Sequence, residues 1–128
     1  MAREVLQEQD RKSTGAYHTD FRLAKRLAQL AAPKLTYKSK VIDPACGAGI
    51  LLAALTYAVC GMDRAKTAHW LAHGVCAADL SANSLRAALL ALASFTDDIS
   101  ALKAMRARWY CGDSLMADSK VWTAMATE

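Results

Sequence analysis

The sequence predicts an α/β domain built on a three-stranded parallel sheet with helices packed against it. Three short segments with the apolar character of buried strands, residues 41–43, 75–78 and 109–111, are separated by longer segments with helical periodicity. Strands that alternate with helices pair in parallel. Because such crossovers are right-handed, each new strand is added on the same side of the sheet, which predicts the spatial order 3-2-1.

Length and composition fit one folded domain. The chain has 128 residues, of which 54% are hydrophobic and 22% charged, and this composition excludes a disordered polypeptide. The net charge of +4 is compatible with a nucleic-acid partner without requiring one. We expect residues 1–14, which are mostly polar and charged, to be mobile, and residues 15–128 to form the domain.

The first helix is predicted from its cap and its leucines. Thr19 or Asp20 can cap it, and the pattern ends before Pro33. Its apolar residues recur at i, i+4 and i+7, which indicates an amphipathic helix: Leu23, Leu27 and Leu30.

Four further helical segments follow. Residues 48–59 are apolar almost all round, which predicts a largely buried helix that ends at Gly61. Residues 63–73 form an inserted helix before the second strand, and residues 81–93 form the next one. Asp97 or Asp98 can cap a last helix that continues through Met105. Trp70 and Trp122 are expected to be packing anchors.

The cysteines, the first residues and the longest apolar run indicate the cellular compartment. The four cysteines lack C-x-x-C spacing, and Cys76 and Cys111 lie in strand patterns, so we expect buried thiols. The first residues are unlike a secretory signal, and the longest apolar run, residues 50–62, is shorter than the roughly 20 residues that span a bilayer. These observations predict a cytoplasmic protein without a membrane partner.

A ligand site is predicted where the first strand ends. Asp43 is followed by a turn containing Gly47 and Gly49, then by an apolar helix. Glycines let the backbone turn sharply and approach a ligand, and the helix N-terminus offers N–H groups to an anion. Asp43 can accept hydrogen bonds from a ligand ammonium, so the site fits an amino-acid zwitterion such as that of S-adenosylmethionine. Leu52 replaces the third glycine of a dinucleotide fingerprint, which argues against NAD or FAD.

The run Asp43-Pro-Ala45-Cys46-Gly47-x-Gly49 closely resembles the cofactor motif of DNA adenine-N6 methyltransferases. The resemblance implies that these residues form the S-adenosylmethionine-binding turn of that family. It also implies the first half of a Rossmann-like methyltransferase fold, with its three parallel strands flanked by helices.

Three other segments resemble motifs of the same family in the same order. Residues 12–20 are similar to the segment that closes over the methionine part of the cofactor, which implies contacts from Tyr17 and Thr19. This segment departs from the family pattern at His18 and Asp20, where the family has an aromatic residue and proline.

The second and third strands carry the remaining resemblance. The segment containing Asp79 and Leu80 is similar to the family's second strand, whose acidic residue holds the ribose hydroxyls. Asp113 matches the carboxylate near the adenine amino group after the third strand. Leu80 and Ile50 would line the adenine slot if the family geometry holds.

No catalytic residue is assigned in this chain. The family carries out its chemistry with an Asn/Asp-Pro-Pro-aromatic motif after the third strand, and the only prolines here are Pro33 and Pro44. The resemblance therefore implies the cofactor-binding portion of an enzyme that, when intact, methylates adenine in DNA in restriction-modification or phage defence. The expected partners are DNA and a catalytic and target-recognition part or partner subunit. The bare edge of the first strand also predicts self-association, or its cover by residues 118–128.

The sequence leaves two other functional classes open. One is a fragment of an RNA or protein-glutamine methyltransferase, which would share the glycine turn. That family, however, lacks the segment that residues 12–20 resemble. A non-catalytic S-adenosylmethionine-binding or assembly module is the second alternative.

His69 and His73 have the i, i+4 spacing of metal ligands, but no third ligand is apparent, so we expect a solvated pair and no metal.

Overall fold

The computed structural model describes residues 20–113, which have an α/β architecture. Their five α-helices are α1 Phe21–Ala31, α2 Ile50–Cys60, α3 Arg64–His69, α4 Ala82–Ala93 and α5 Ile99–Ala107. The strands are β1 Val41–Asp43, β2 Val75–Asp79 and β3 Tyr110–Cys111. A 3₁₀ turn, Ala32–Lys34, follows α1, and a π-helical turn, Trp70–Gly74, leads from α3 to β2. The expectations for residues 1–14, Tyr17, Thr19 and Trp122 lie outside the described residues.

The three strands form a parallel sheet with β2 in the middle. Val41 to Asp43 of β1 pair with Val75 to Ala77 of β2, and β3 pairs with the last two residues of β2. For residues 20–113 the predicted parallel order 3-2-1 is confirmed. Every residue of β2 is buried, because this strand has a neighbour on each side.

Three helices form a layer over one face of this sheet. Because α2 connects β1 to β2 and α4 connects β2 to β3, right-handed crossovers place both helices on the same face. α2 packs against both α1 and α4, whereas α1 and α4 have at most marginal contact with each other. The order in the layer is therefore α4, α2, α1.

The core lies between this helix layer and the sheet. Leucines of α2 and α4 pack with Val75 and Ala77 of β2. Trp70 is fully buried, as expected of a packing anchor, and its Nε1 donates to the Thr56 hydroxyl at 3.0 Å. That hydroxyl donates to the Leu52 carbonyl at 2.7 Å, so the one polar atom of the indole is satisfied inside the core.

The insertion before β2 differs from the single helix predicted for residues 63–73. The α-helix ends at His69 and the π-helical turn completes the segment. The guanidinium of Arg108 donates to the carbonyls of Ala72, Leu71 and Val75, the last two at 3.2 and 2.9 Å. A side chain more than 30 residues away in sequence thus binds two carbonyls of this turn and the first carbonyl of β2.

α1 begins where predicted but presents its leucines to solvent. The Asp20 carboxylate caps the helix by accepting from the Arg22 N–H at 2.8 Å. Only Ala24 and Ala28 of α1 are buried. The exposed fractions are 53%, 41% and 60% for the three leucines of the predicted apolar face: Leu23, Leu27 and Leu30. α1 lies at the end of the helix layer beyond β1, so no strand among residues 20–113 lies beneath that face.

The prediction that α2 is largely buried holds for most of the helix, since nine of its eleven residues are buried or half-buried, whereas Tyr57 and Ala58 are exposed. The burial prediction for Cys111 is wrong. Cys111 is exposed, because β3 is the outermost strand of the sheet on that side. Among residues 20–113, no helix has the length and apolar character that crossing a bilayer requires.

We expect iodoacetamide to alkylate Cys111 before the other three thiols of the folded chain. Cys46, Cys60 and Cys76 are buried, whereas Cys111 is exposed. Burial, with a smaller contribution from neighbouring carboxylates, raises the pKa of Cys46 to about 12 and that of Cys60 to about 11, so their reactive thiolates are scarce at neutral pH. Mass spectrometry of tryptic peptides measures the order of labelling. All four thiols should react alike in guanidinium, and equal rates in the folded chain would contradict the burial pattern.

Candidate functional site

The turn after β1 folds back onto the end of β2. The Cys46 N–H donates to the Ala78 carbonyl at 3.0 Å, and the Gly47 N–H donates to Oδ2 of Asp79 at 2.8 Å. Gly47 has a φ of +55°, which glycine adopts without steric cost. One backbone bond and one side chain therefore hold the glycine turn against the neighbouring strand.

Asp79 connects the carboxyl ends of all three strands. Its Oδ2 accepts from Gly47, its Oδ1 accepts from the Ser81 N–H at 2.9 Å, and its backbone carbonyl accepts from the Gly112 N–H at 2.9 Å. The residue is 9% exposed, so these bonds form largely out of water. Because a carboxylate oxygen can accept two hydrogen bonds, this oriented carboxylate keeps acceptor capacity for ligand hydroxyls.

Asp43 lies at the same edge of the sheet, at the end of β1. Burial raises the pKa of Asp43, the hydrogen bond from the Ala45 N–H lowers it, and the negative charge of Asp79 raises it again, with a net increase. Two neighbouring carboxylates, one of them in an environment that disfavours its charge, form a site that attracts a cation. Chemically, this edge suits a ligand that has a positive group and hydroxyls.

Gly49 has a packing role that the sequence pattern does not reveal. Its φ is +82°, and a Cβ built there would lie 2.8 Å from the Cβ of Ala88 on α4. The absent side chain therefore lets the N-terminus of α2 approach α4 closely. A contact between Gly49 and a cofactor stays a prediction.

The remaining predicted residues divide between two regions. Ala45 is exposed and Cys46 is buried, both within the turn itself. Leu80 follows β2 and Asp113 follows β3, so both lie near the carboxyl ends of the strands, and both are exposed. Ile50, at the start of α2, lines a groove on the opposite side of the helix layer. The structure thus collects Asp43, Asp79 and the glycine turn at one edge, with Leu80 and Asp113 adjoining it in sequence.

That groove, the outer groove, is a separate apolar cavity. It has a volume of about 860 Å³ and is lined by α1, α2 and the end of α4, including Phe21, Tyr57 and Phe95. Ala48 and Ile50 belong to its wall, but neither Asp43, Gly47 nor Asp79 does. The outer groove has the volume of a ligand site, but the convergent polar groups that also characterise such sites lie at the carboxyl ends of the strands.

The histidine pair forms an aromatic cluster. The ring centroids of His69 and His73 are 4.8 Å apart, and Tyr37 meets His69 edge-on at 5.4 Å. Within residues 20–113, no three His, Cys, Asp or Glu side chains are grouped so that they could hold a metal ion. Both histidines are exposed, as expected of a solvated pair, and Tyr37, which precedes β1, packs against His69.

Comparison with known proteins identifies no relative. No protein-family model matches the chain, and no curated protein or solved structure is significantly similar to it. The function is therefore inferred from the geometry of the site and from the motifs in the sequence.

We expect Asp79→Ala to lower the free energy of unfolding by about 2–4 kcal/mol, because it removes two hydrogen bonds from backbone N–H groups to a buried carboxylate. Urea denaturation followed by circular dichroism measures the change. Asp97→Ala is the matched control, since that exposed carboxylate meets Arg64 at 3.7 Å on the surface and should change stability by about 0.5 kcal/mol or less. Equal effects of the two substitutions would refute the connecting role of Asp79.

We also expect Gly49→Ala to destabilise the fold through its clash with Ala88. The clash adds about 1–3 kcal/mol to the cost of a positive φ. The built Cβ also lies 2.9 Å from the Cα of Ala88, so Ala88→Gly should relieve only the part that the Ala88 Cβ causes. A double-mutant cycle of the two substitutions should therefore give a favourable coupling that is smaller than the clash, about 0.5–1 kcal/mol. Strictly additive effects would show that the Ala88 Cβ does not contact position 49.

Proposed function

We propose that this chain is the S-adenosylmethionine-binding portion of a DNA adenine-N6 methyltransferase, with the first half of a Rossmann-like fold. The observation that carries the proposal is the meeting of Asp43, Asp79 and the glycine turn at one edge of a parallel sheet. In open α/β sheets, ligands bind outside the carboxyl ends of the strands. The order of the four family-like motifs supports the choice of this class.

The side chains at this edge suit the two ends of the cofactor. Asp43 would accept hydrogen bonds from its ammonium group, and the ligand charge would stabilise a carboxylate that burial disfavours. No side chain caps the N-terminus of α2, which would face the ligand carboxylate. Asp79, already oriented by Gly47 and Ser81, would accept from the ribose hydroxyls.

The adenine end and the cover of the site complete this assignment. Leu80 and Asp113 would lie beside the adenine, because Leu80 follows Asp79 at the end of β2 and Asp113 follows the neighbouring strand β3. Tyr17 and Thr19 would close over the methionine part. When bound, the cofactor supplies an electrophilic methyl group on a positive sulfur.

This chain would bind the cofactor, and another part of the enzyme would catalyse methyl transfer. The chain has no two consecutive prolines, so it lacks the family's Asn/Asp-Pro-Pro-aromatic catalytic motif. We propose that it binds the cofactor but does not methylate DNA by itself. DNA and a catalytic and target-recognition part are then its partners, in a cytoplasmic restriction-modification or phage-defence system.

A non-catalytic S-adenosylmethionine-binding module is the second candidate, and the same missing motif favours it. The two candidates differ when a separate polypeptide carrying the catalytic motif is added. Restored methylation of DNA would identify the enzyme portion, and cofactor binding without any such restoration would identify the module.

The binding proposal predicts a pH-dependent affinity for S-adenosylhomocysteine. Because the pKa of Asp43 is raised, its acceptor carboxylate is fully present above that pKa and is lost as the pH falls through it, so affinity should fall in the same direction. Asp43→Asn should weaken binding at neutral pH by roughly 10- to 100-fold, the range for a hydrogen bond to a charged group, and should remove this pH dependence. Isothermal titration calorimetry from neutral to acidic pH measures both effects.

Adenosine is the matched control ligand, because it keeps the ribose and adenine but lacks the amino-acid end. Its affinity should not respond to Asp43→Asn. If S-adenosylhomocysteine binds the Asp43→Asn variant as tightly as it binds the parent chain, the ammonium assignment is wrong.

A further inference from the structure

The helix layer extends one helix beyond the described sheet. α2 and α4 each connect two adjacent strands and lie over them, while α1 lies beyond α2 on the side of β1 that carries no strand among residues 20–113. Packed helices are about 8–10 Å apart and paired strands about 4.8 Å. α1 therefore lies above about two strand positions that residues 20–113 do not fill.

The leucine face of α1 points toward those positions. The outer groove opens on the side of the layer away from the sheet, since on α2 it is lined by residues opposite the buried Leu52 and Leu55. On α1 the groove is lined by residues such as Phe21, Lys25 and Ala28. At about 100° per residue, the opposite side of α1, roughly 180° away, carries three leucines: Leu23, Leu27 and Leu30. These leucines therefore face the sheet side of the layer.

β1 completes this surface from below. Within the described residues it pairs with β2 along one edge only, and Ile42 is 38% exposed. An unpaired strand edge offers a row of backbone donors and acceptors to another strand. A single surface thus combines a strand edge with an apolar helix face that lies over the next strand position.

We propose that the edge of β1 and the leucine face of α1 together form a strand-acceptor surface for an extended segment of a second polypeptide. The segment pairs with β1 through its backbone, and apolar side chains at alternate positions pack against the leucines. This inference rests on the packing of helices and strands, and it holds whether or not the chain binds S-adenosylmethionine.

The basic residues of α1 indicate the charge that the partner segment carries. α1 contains Arg22, Lys25 and Arg26 and no acidic residue. By helical position, Arg22 and Arg26 lie beside the leucine face. A segment with acidic residues next to its apolar positions is attracted to this surface, and a basic segment is repelled.

A second copy of this chain fits the surface poorly. If two β1 edges paired with both helix layers on one side, both α1 helices would have to lie over two strands only about 4.8 Å apart, although neighbouring helices need about 8–10 Å each. Their Arg22 and Arg26 side chains would also approach one another. The surface fits a strand that brings no helix on that side.

A synthetic strand tests this proposal with the 128-residue chain. The probe is a fluorescein-labelled peptide of about eight residues, a common strand length, in which valine alternates with threonine and glutamate stands at both ends. Fluorescence anisotropy should show saturable binding. The double substitution Leu23→Gln and Leu30→Gln should weaken it roughly tenfold or more. Both leucines are already exposed, so the substitutions should leave folding intact.

Two controls distinguish strand addition from non-specific hydrophobic binding of the peptide. Leu90→Gln, at a leucine of α4 that is 73% exposed, should leave binding unchanged. A peptide with N-methyl groups along both edges keeps its side chains but cannot form the backbone ladder in either direction, so it should not bind. Absence of binding, equal effects at Leu90 and at the α1 leucines, or binding of the methylated peptide would each overturn the proposal.

Hydrogen exchange and light scattering of the chain without peptide identify the competing occupants. Strong protection, in a monomer, of the β1 amides that point away from β2 would show that another segment of this chain, such as residues 118–128, covers the edge. A dimer in which these amides are protected would show self-association, which the sequence also predicts. Either result overturns a docking surface for a different polypeptide, whereas a monomer in which these outward-pointing amides exchange and become protected by the peptide supports it.

Discussion

The carboxylate of Asp79 connects parts of the domain that are far apart in the chain. It accepts from Gly47 in the turn after β1 and from Ser81 after β2, while the carbonyl of the same residue accepts from Gly112 after β3. Because the residue is largely buried, water cannot replace these bonds without opening the structure. The position of the glycine turn, and with it the start of α2, depends on this side chain together with the backbone bond from Cys46 to Ala78.

The same edge carries charge that folding alone does not favour. Burial and the neighbouring Asp79 raise the pKa of Asp43, so ionising it in the folded chain is harder than in water. The hydrogen bond from the Ala45 N–H offsets only part of this penalty. A cationic ligand group next to Asp43 would offset this penalty, and for that reason the electrostatics agree with the proposed amino-acid end of the ligand.

The helix layer poses a second packing question. α1 contributes two alanines to the core and directs its leucines away from it, toward strand positions that residues 20–113 leave empty. Exposed leucines at i, i+4 and i+7 lie beside a strand edge with which no residue of the described range pairs, and together they form an apolar surface. Both the proposed division between binding and catalysis and the proposed strand-acceptor surface describe a domain that works together with another polypeptide segment.

Local patterns in the sequence determined most of the elements, the glycine turn and the parallel order of the strands, because each depends on residues near one another or on the handedness of crossovers. They narrowed two helix caps to Thr19 or Asp20 and to Asp97 or Asp98, and the structure selects Asp20 and Asp98. Tertiary structure decided which surfaces are buried. The leucine pattern of α1 indicates an apolar face but not what covers it, and the strand pattern at Cys111 does not reveal that β3 is outermost. The contact of Gly49 with Ala88 and the bonds of Arg108 join residues distant in sequence, and no local pattern encodes such pairs.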